Sequence, residues 1–346
     1  LARFEGFHSV ARGFEARCEA GGDSVGADGW VELTDAYKQT VGRRYVDSTG
    51  LPRVESEKRW QGAPPRTATL QGGHSDLRAV CCGGKAHDVD CDNGDYRLIC
   101  CLATQTGNEH LVPTVFDYVE NRPTYLDEIC ELHGCSEGVA KRLPNVVGNG
   151  GTYETWLRNN GLREPSGGLR AFDGKKCKAF LPPKQCKRDE SNVTHQLQTL
   201  RAALFDHPRF RAAVEAERGR LLREGRKPVW QHNASLWSTC VVQASEDEVL
   251  GIVERALLAI GWDVWALVFD GLIIAPSATC AEPDDVKKAM DAAERACKAR
   301  GWGMIKLADK DLHGLQRETP KSIANARAAL ANWELRQTCA ASMDWD

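Results

Sequence analysis

The sequence predicts an α+β protein: a small antiparallel sheet with flanking helices, interrupted by a mostly helical insertion. Three observations carry this. The run Val264–Ala275 is almost continuously apolar, broken by Asp270 and Gly271, and predicts two buried strands joined as a β-hairpin with Asp270-Gly271 at its tip. The stretch Ala86–Tyr96 carries aspartates at 88, 90, 92 and 95, where a short strand gives way to a helix beginning near Tyr96. The resulting order, strand–helix, helical insertion, helix–hairpin–helix–strand, is that of an α+β domain split by a helical one.

At 346 residues, 42% apolar and 27% charged, the chain is long enough for two or three packed units and ordinary for a globular protein. No run approaches the roughly 18 to 20 apolar residues of a membrane span, so no membrane partner is expected. Leu1–Glu5 resemble neither a signal nor a transit peptide, and the chain opens without an initiating Met, which leaves room for a longer protein. Among the 14 cysteines, Cys81-Cys82 and Cys100-Cys101 are adjacent pairs in or beside apolar runs, and paired Cys-x-x-Cys sites are absent. That pattern predicts free buried thiols in a reducing, intracellular compartment rather than a disulfide framework or zinc module. The sequons at Asn192 and Asn233 carry no meaning there.

Taken in order, residues 1–40 read as an N-terminal helical segment, with Phe4, Phe7, Val10 and Phe14 at helical spacing and a break at Gly21-Gly22. A polar, Pro-rich passage from Asp47 to Arg66 precedes the acidic strand, and a helix runs from Tyr96 to Thr104. Mixed sequence reaches Cys135. Ser136 then caps a helix presenting Lys141-Arg142, which Pro144 is expected to kink and the Gly-rich turn at 148–151 to end. Residues 163–194 read as a basic loop. His195 to Lys227 reads as one or two long helices with Arg201, Arg209, Arg211, Arg218, Arg220, Arg223, Arg226 and Lys227 off the apolar face. Because the whole chain has a net charge of only −3, this clustering is local; a solvated helix face and a polyanion contact both account for it. Ser235–Ile260 and Asp284–Arg300 read as helices, Gly303–Leu307 as a closing strand with Lys310 just beyond, and 316–346 as a tail.

The chemistry concentrates in the aspartates. On a strand, residues two apart share a face, so Asp88, Asp90 and Asp92 point the same way and repel unless a cation lies between them. Hard oxygen donors suit Mg²⁺ or Ca²⁺. A calcium-binding loop requires Gly at its sixth and Glu at its twelfth position, where this chain has Asn93 and Ile99; a solvated acidic loop is the plainer alternative. Asp270, flanked by buried surface, is costly unless paired or bound to a metal, although Asp-Gly is also simply a good hairpin turn. Arg43 and Arg78 could each reach a phosphate or be surface arginines. Lys141, followed by a Gly-rich turn, is suited to hold a triphosphate.

Gly42-Arg43-Arg44-Tyr45, Asp88 with Asn93 five residues on, Lys141 with Asn149-Gly150 eight and nine on, Gln243-x-x-Glu246, and Val268-Phe269-Asp270-Gly271 together resemble the ordered motifs of family A DNA polymerases and the related single-subunit, phage-type RNA polymerases, most closely a compact, divergent group of them. The resemblance covers roughly residues 40 to 310. It implies a right-hand palm at 41–118 and 236–315 with a helical, fingers-like insertion at 119–235, acting as a monomer on a primed nucleic-acid template and nucleoside triphosphates. Residue by residue it implies Asp88 and Asp270 as ligands of two Mg²⁺ ions, with Asp90 replacing Asp88 if the register differs by two. Lys141 would neutralise the triphosphate in the same cleft, with Arg43, Asn93, Asn149 and Gly150 at the nucleotide and Arg78, Arg142 and Gln243 at the nucleic acid. The chain departs from the family at Glu137, where an arginine is usual, at Asn149, where a Tyr is usual, at Pro144 within the helix, and in the Phe269 and Gly271 flanking Asp270. A catalytically degenerate nucleic-acid-binding relative and a Ca²⁺-binding structural protein therefore stay open.

Overall fold

A computed structural model describes residues 86–162, 177–180, 191–225, 233–268, 270–277 and 285–310, and the backbone of four two-residue strands. Those strands pair as two antiparallel ribbons, Tyr37–Lys38 with Tyr45–Val46 and Arg53–Val54 with Arg66–Thr67. The rest of the predicted N-terminal segment, most of the basic loop and the tail lie outside the described residues.

The main sheet has four antiparallel strands: β1 (His87–Cys91), β2 (Trp262–Val268), β3 (Gly271–Pro276) and β4 (Leu307–Lys310), in the spatial order β2-β3-β1-β4. This is a split β-α-β-β-α-β arrangement whose first crossover is expanded into the helices between Gly94 and Leu258. Strand β3 is buried along nearly its whole length, as a central strand covered on both faces must be, whereas β2 at the edge exposes Trp265. The register divides the faces. Val89 and Cys91 join Leu272, Ile274 and Leu307 in the main core, while Ala86, Ala266, Val268, Ile273 and Ala275 form a second cluster on the face that carries Asp88 and Asp90.

Helix α1 (Gly94–Gln105) buries Tyr96, Leu98, Ile99, Cys100, Cys101, Leu102 and Ala103, apolar nearly all round because the sheet lies on one side and further helices on the other. The thiols of Cys91, Cys100, Cys101, Cys130, Cys135, Cys240 and Cys297 are free, and burial pushes Cys91 and Cys100 well above the ordinary thiol range. Helix α2 (Pro113–His133) occupies the stretch read as mixed sequence. Its two prolines hide it: Pro113 lies in the first turn, where no intrahelical donor is lost, and Pro123 is accommodated by non-helical backbone at Asn121. Tyr118 and Tyr125 from α2 close an aromatic cluster with Tyr96 and Phe180, ring centroids 4.6 to 6.4 Å apart.

The expected Lys141 helix is broken at Lys141 into α3 (Glu137–Ala140) and α4 (Arg142–Gly148). Pro144 falls in the first turn of α4, so the break, rather than a kink, removes the conflict. Then come α5 (Tyr153–Asn159), capped by Thr152, and α6 (Val193–Asp206) and α7 (Pro208–Arg223), separated where Pro208 holds His207 extended. Helix α8 (Asn233–Leu236) runs through a π-helical turn, Trp237–Gln243, into α9 (Ala244–Leu258). Helix α10 (Val286–Ala299) leads to β4, which begins four residues later than the expected Gly303–Leu307 strand. Trp302 explains the shift: it is fully buried, a contribution of about 3 kcal/mol, against a β-propensity scale spanning about 1 kcal/mol, so 301–306 folds as a turn that seats the indole. Among the described residues no helix is long and apolar enough to cross a membrane.

The hairpin differs from expectation in one respect. The turn falls between Val268 and Gly271, and Gly271 is already the first residue of β3, paired with Val268 and Asp90. A Cβ at Gly271 would lie 2.6 Å from the Val89 carbonyl oxygen and 3.2 Å from the Asp90 Cα, so the glycine serves close strand approach. Replacing Gly271 by Ala should lower unfolding free energy by about 1–3 kcal/mol in a denaturant titration, because backbone, not a movable side chain, must give way. Gly138→Ala, with nothing within 4 Å of the added methyl, should be neutral or slightly stabilising in the same assay.

Candidate functional site

Strand β1 hands its aspartates to different partners. Asp88 is buried and stands opposite Ile273 of β3 and Lys310 of β4. Asp90 stands opposite Gly271 and Ala308, and its carboxylate forms an ion pair with Lys310 Nζ. Only the missing side chain at Gly271 makes room for Asp90, whose Oδ1 lies 3.0 Å from where that Cβ would be. Asp270 is the next residue along: its carbonyl accepts the Cys91 N–H at 3.4 Å, and its Oδ2 lies 3.3 Å from where a Cβ on Gly94 would be. The register thus sets Asp90, rather than Asp88, beside the hairpin turn; Asp88 lies two residues, about 7 Å, further along the strand.

The chain turns from β1 into α1 at Asp92-Asn93. Asn93 adopts the left-handed conformation (φ 50°, ψ 41°), which Asn tolerates better than most residues, and its buried Nδ2 has no hydrogen-bond partner among the described residues. Asp92 is bonded by Arg97 Nη2 at 3.4 Å and Arg122 Nη1 at 3.5 Å. It is therefore held apart from Asp88 and Asp90 instead of joining them around one ion, as a calcium loop requires. Gly94 starts α1, placing the positive helix end at the foot of Asp270. Glu246, also buried, lines a small cavity with Asp270, Cys91 and Gly94. Burial chiefly, then the negative charge of Asp270 and Asp90, raises the Cys91 thiol.

A polar chain connects this end of the sheet to the Gly-rich turn. Asn149 Nδ2 donates to Asp95 Oδ2 at 2.9 Å, Ser238 Oγ donates to Asn149 Oδ1 at 3.3 Å, and Gln243 Nε2 donates to Ser238 Oγ at 3.4 Å. The turn itself is tightly packed: Trp237 Nε1 donates to the Gly148 carbonyl at 2.7 Å, and a Cβ on Gly150 (φ +83°) would meet Ala234 at 2.8 Å and Arg201 Nη2 at 3.0 Å. Arg201 lies over the Trp237 ring at 5.4 Å. Lys141 sits at the other end of α4, roughly 12 Å along the helix from Asn149, and its ammonium is on Glu137 Oε1 at 2.7 Å. Arg142 donates to Asn160 Oδ1 at 3.0 Å.

The structure therefore sets Asp90 and Asp270 at the same end of neighbouring strands, Asn93 in the turn after β1, and Asp95 in hydrogen-bond contact with Asn149, with Gln243 at the end of the polar chain. It leaves Lys141 and Arg142 one helix length away, while Arg43 and Arg78 lie outside the described residues. Asp95 and Ser238 were not singled out by sequence reasoning; an acidic residue in a first helical turn is ordinarily explained by the helix dipole. Several arginines of the basic helices are engaged within the fold: Arg209 with Glu248, Gln105 and the Trp302 ring, and Arg220 with Glu217 and Glu224.

Among the described residues no group of three or more His, Cys, Asp or Glu side chains is arranged to hold a metal ion. Asp90 and Asp270 are hard oxygen donors at one sheet end, and Mg²⁺ is commonly held by one or two carboxylates with water and substrate phosphates completing its shell, so the donor set fits that ion. Compared with known proteins, the chain matches no family model and no curated protein.

The β1–β4 pairing that carries Asp88, Asp90 and Lys310 is tied by His87 Nδ1 to Asp309 Oδ2 at 2.8 Å. That hydrogen bond raises His87 above the usual histidine value, outweighing burial. A raised folded-state value stabilises the protein below about pH 6.5, and the contribution is lost as pH rises through the folded value. The His87 titration followed by NMR should move down in Asp309→Asn, and the stability difference between the two proteins should shrink from pH 6 to pH 9.

Proposed function

We propose that the chain is a template-directed nucleotidyltransferase, a DNA polymerase with a palm and a fingers-like insertion, joining a nucleoside triphosphate to a primer 3′-hydroxyl. The observation that carries this reading is that Asp90 and Asp270, 180 residues apart in sequence, stand at the same end of neighbouring central strands, Asp90 opposite Gly271 and Asp270 bonded through its carbonyl to the Cys91 amide. Two remote carboxylates at one sheet end are what metal-assisted phosphoryl transfer requires. When bound, Mg²⁺ lowers the proton affinity of the attacking hydroxyl and offsets charge on the phosphates.

The chain's own residues then divide the remaining work. Asp90 and Asp270 are the metal ligands, with Asp88 two residues further along the face that carries Asp90. Asn93, in the turn that follows β1, presents a buried amide donor without a partner among the described residues, suited to the sugar of an incoming nucleotide. Asp95 holds Asn149, and through it the packed Gly148–Gly151 turn, as a rigid wall. Lys141 is held among the described residues by an exposed i,i+4 ion pair with Glu137, so it is readily drawn onto a triphosphate as a cation for the charge developing at phosphorus. Gln243 and Arg142 would face the nucleic acid.

Primer extension on a primed template with Mg²⁺ should fall by about a thousandfold, roughly 4 kcal/mol of transition-state stabilisation, in Asp270→Asn and in Asp90→Asn. Asp88→Asn should lose less than Asp90→Asn, because the register sets Asp90 nearer the turn. Extension that survives both the Asp270 and Asp90 changes overturns the catalytic reading and leaves a nucleic-acid-binding relative.

A further inference from the structure

The ammonium of Lys310 lies on Asp90 Oδ2, the carboxylate beside the hairpin turn. In the β1–β4 register Lys310 faces Asp88, so its stem runs along the sheet face from one aspartate to the next. The neighbouring charges have other partners: Asp92 has Arg97 and Arg122, Asp309 has His87, and Lys306 has Glu294. Lys310 is also free to leave, since its side chain is 60% exposed while that of Asp90 is 14% exposed.

We propose that Lys310 is the built-in counter-cation of the carboxylate end of the sheet, occupying Asp90 until a divalent cation displaces it and thereby setting the divalent concentration at which that end fills. This rests on the reading of Asp90 as a metal ligand. An ammonium and a divalent cation cannot both be in contact with the same carboxylate oxygen without strong repulsion, so one leaves as the other binds. Without any cation, the largely buried Asp90 carboxylate would lose the charge partner that Lys310 supplies. An ion pair this exposed is weak, so the lysine delays filling and does not prevent it.

Binding of Mn²⁺ to the full chain, followed by the electron paramagnetic resonance signal of the free ion at low ionic strength, tests this without nucleic acid or turnover. Lys310→Met should bind Mn²⁺ about two- to fivefold more tightly than the unaltered protein, the range an exposed ion pair supports. Lys310→Arg should restore the unaltered affinity, and Asp90→Asn should abolish the site. Lys306→Met removes the same charge from a neighbouring ion pair and should leave the affinity unchanged. The proposal is overturned if Lys310→Met binds no more tightly, if Lys306→Met shows the same gain, or if no Mn²⁺ binding depends on Asp90. A gain in Lys310→Met without any primer extension by the unaltered protein overturns the polymerase reading and leaves this inference standing.

Discussion

The backbone of Gly271 lies closer to Val89 and Asp90 than a residue with a side chain permits, and the arrangement of the carboxylate end follows from that contact. A methyl group there would meet the Val89 carbonyl oxygen at 2.6 Å, so β3 could no longer pair in place with β1. The same contact seats Asp90 over the glycine and carries Asp270 onto the Cys91 amide, which brings its carboxylate to the start of α1. One steric allowance thus couples three segments distant in sequence: the strand, the hairpin turn and the first turn of the helix. Packing alone would be content with many registers for so apolar a hairpin; the glycine selects the one that sets Asp90 and the Asp270 turn at the same end of neighbouring strands.

Electrostatics then sorts the acidic stretch. Four aspartates within eight residues would repel one another if left to solvent, and the fold separates them by giving each a different environment. Asp88 is buried, Asp90 meets Lys310, Asp92 is held between Arg97 and Arg122, and Asp95 accepts from Asn149. The arginine pairing of Asp92 anchors the turn that aims α1; the Asn149 contact of Asp95 anchors the far wall. Asp90 is left with a solvent-exposed ammonium as its ion-pair partner, at the strand position opposite Gly271.

Much of this was legible in the sequence where one physical effect dominates. The apolar hairpin, the strand-to-helix transition after the acidic stretch and the amphipathic α10 follow from periodicity, while His195–Lys227 reads as one or two helices, and the structure divides it at Pro208. What was not legible turns on competition between effects. Helix α2 is concealed by two prolines whose positions, one in the first turn and one beside a local kink, make them harmless. The closing strand was displaced because burying Trp302 outweighs the strand preference of a short apolar run. The choice between Asp88 and Asp90 is a register question, and an alternating pattern reads the same when slid by two residues. Gly271 looked like a turn residue because Asp-Gly so often is one; its contact with a strand 180 residues earlier leaves no local signature. Lys141 was read for its charge, and the Glu137 one turn before it, noted as a departure from the family pattern, proves to be its partner.

The π-helical turn at Trp237–Gln243 has a consequence for how this chain can change. A wider turn is in effect an inserted residue, and it offsets the angular phase of α8 from that of α9. Trp237 and Ser238 are thereby presented to the Gly148–Asn149 turn, while Glu246 and Val249, further down the same rod, are presented to the cavity beside Asp270. Loss of a single residue from this turn would restore ordinary helical winding and swing one set away from its target by roughly 100° while sparing the other. Two surfaces that look independent are geared together through one irregular turn, so a length change tolerable in a loop would here disengage the Gly148–Asn149 contact from the cavity beside Asp270.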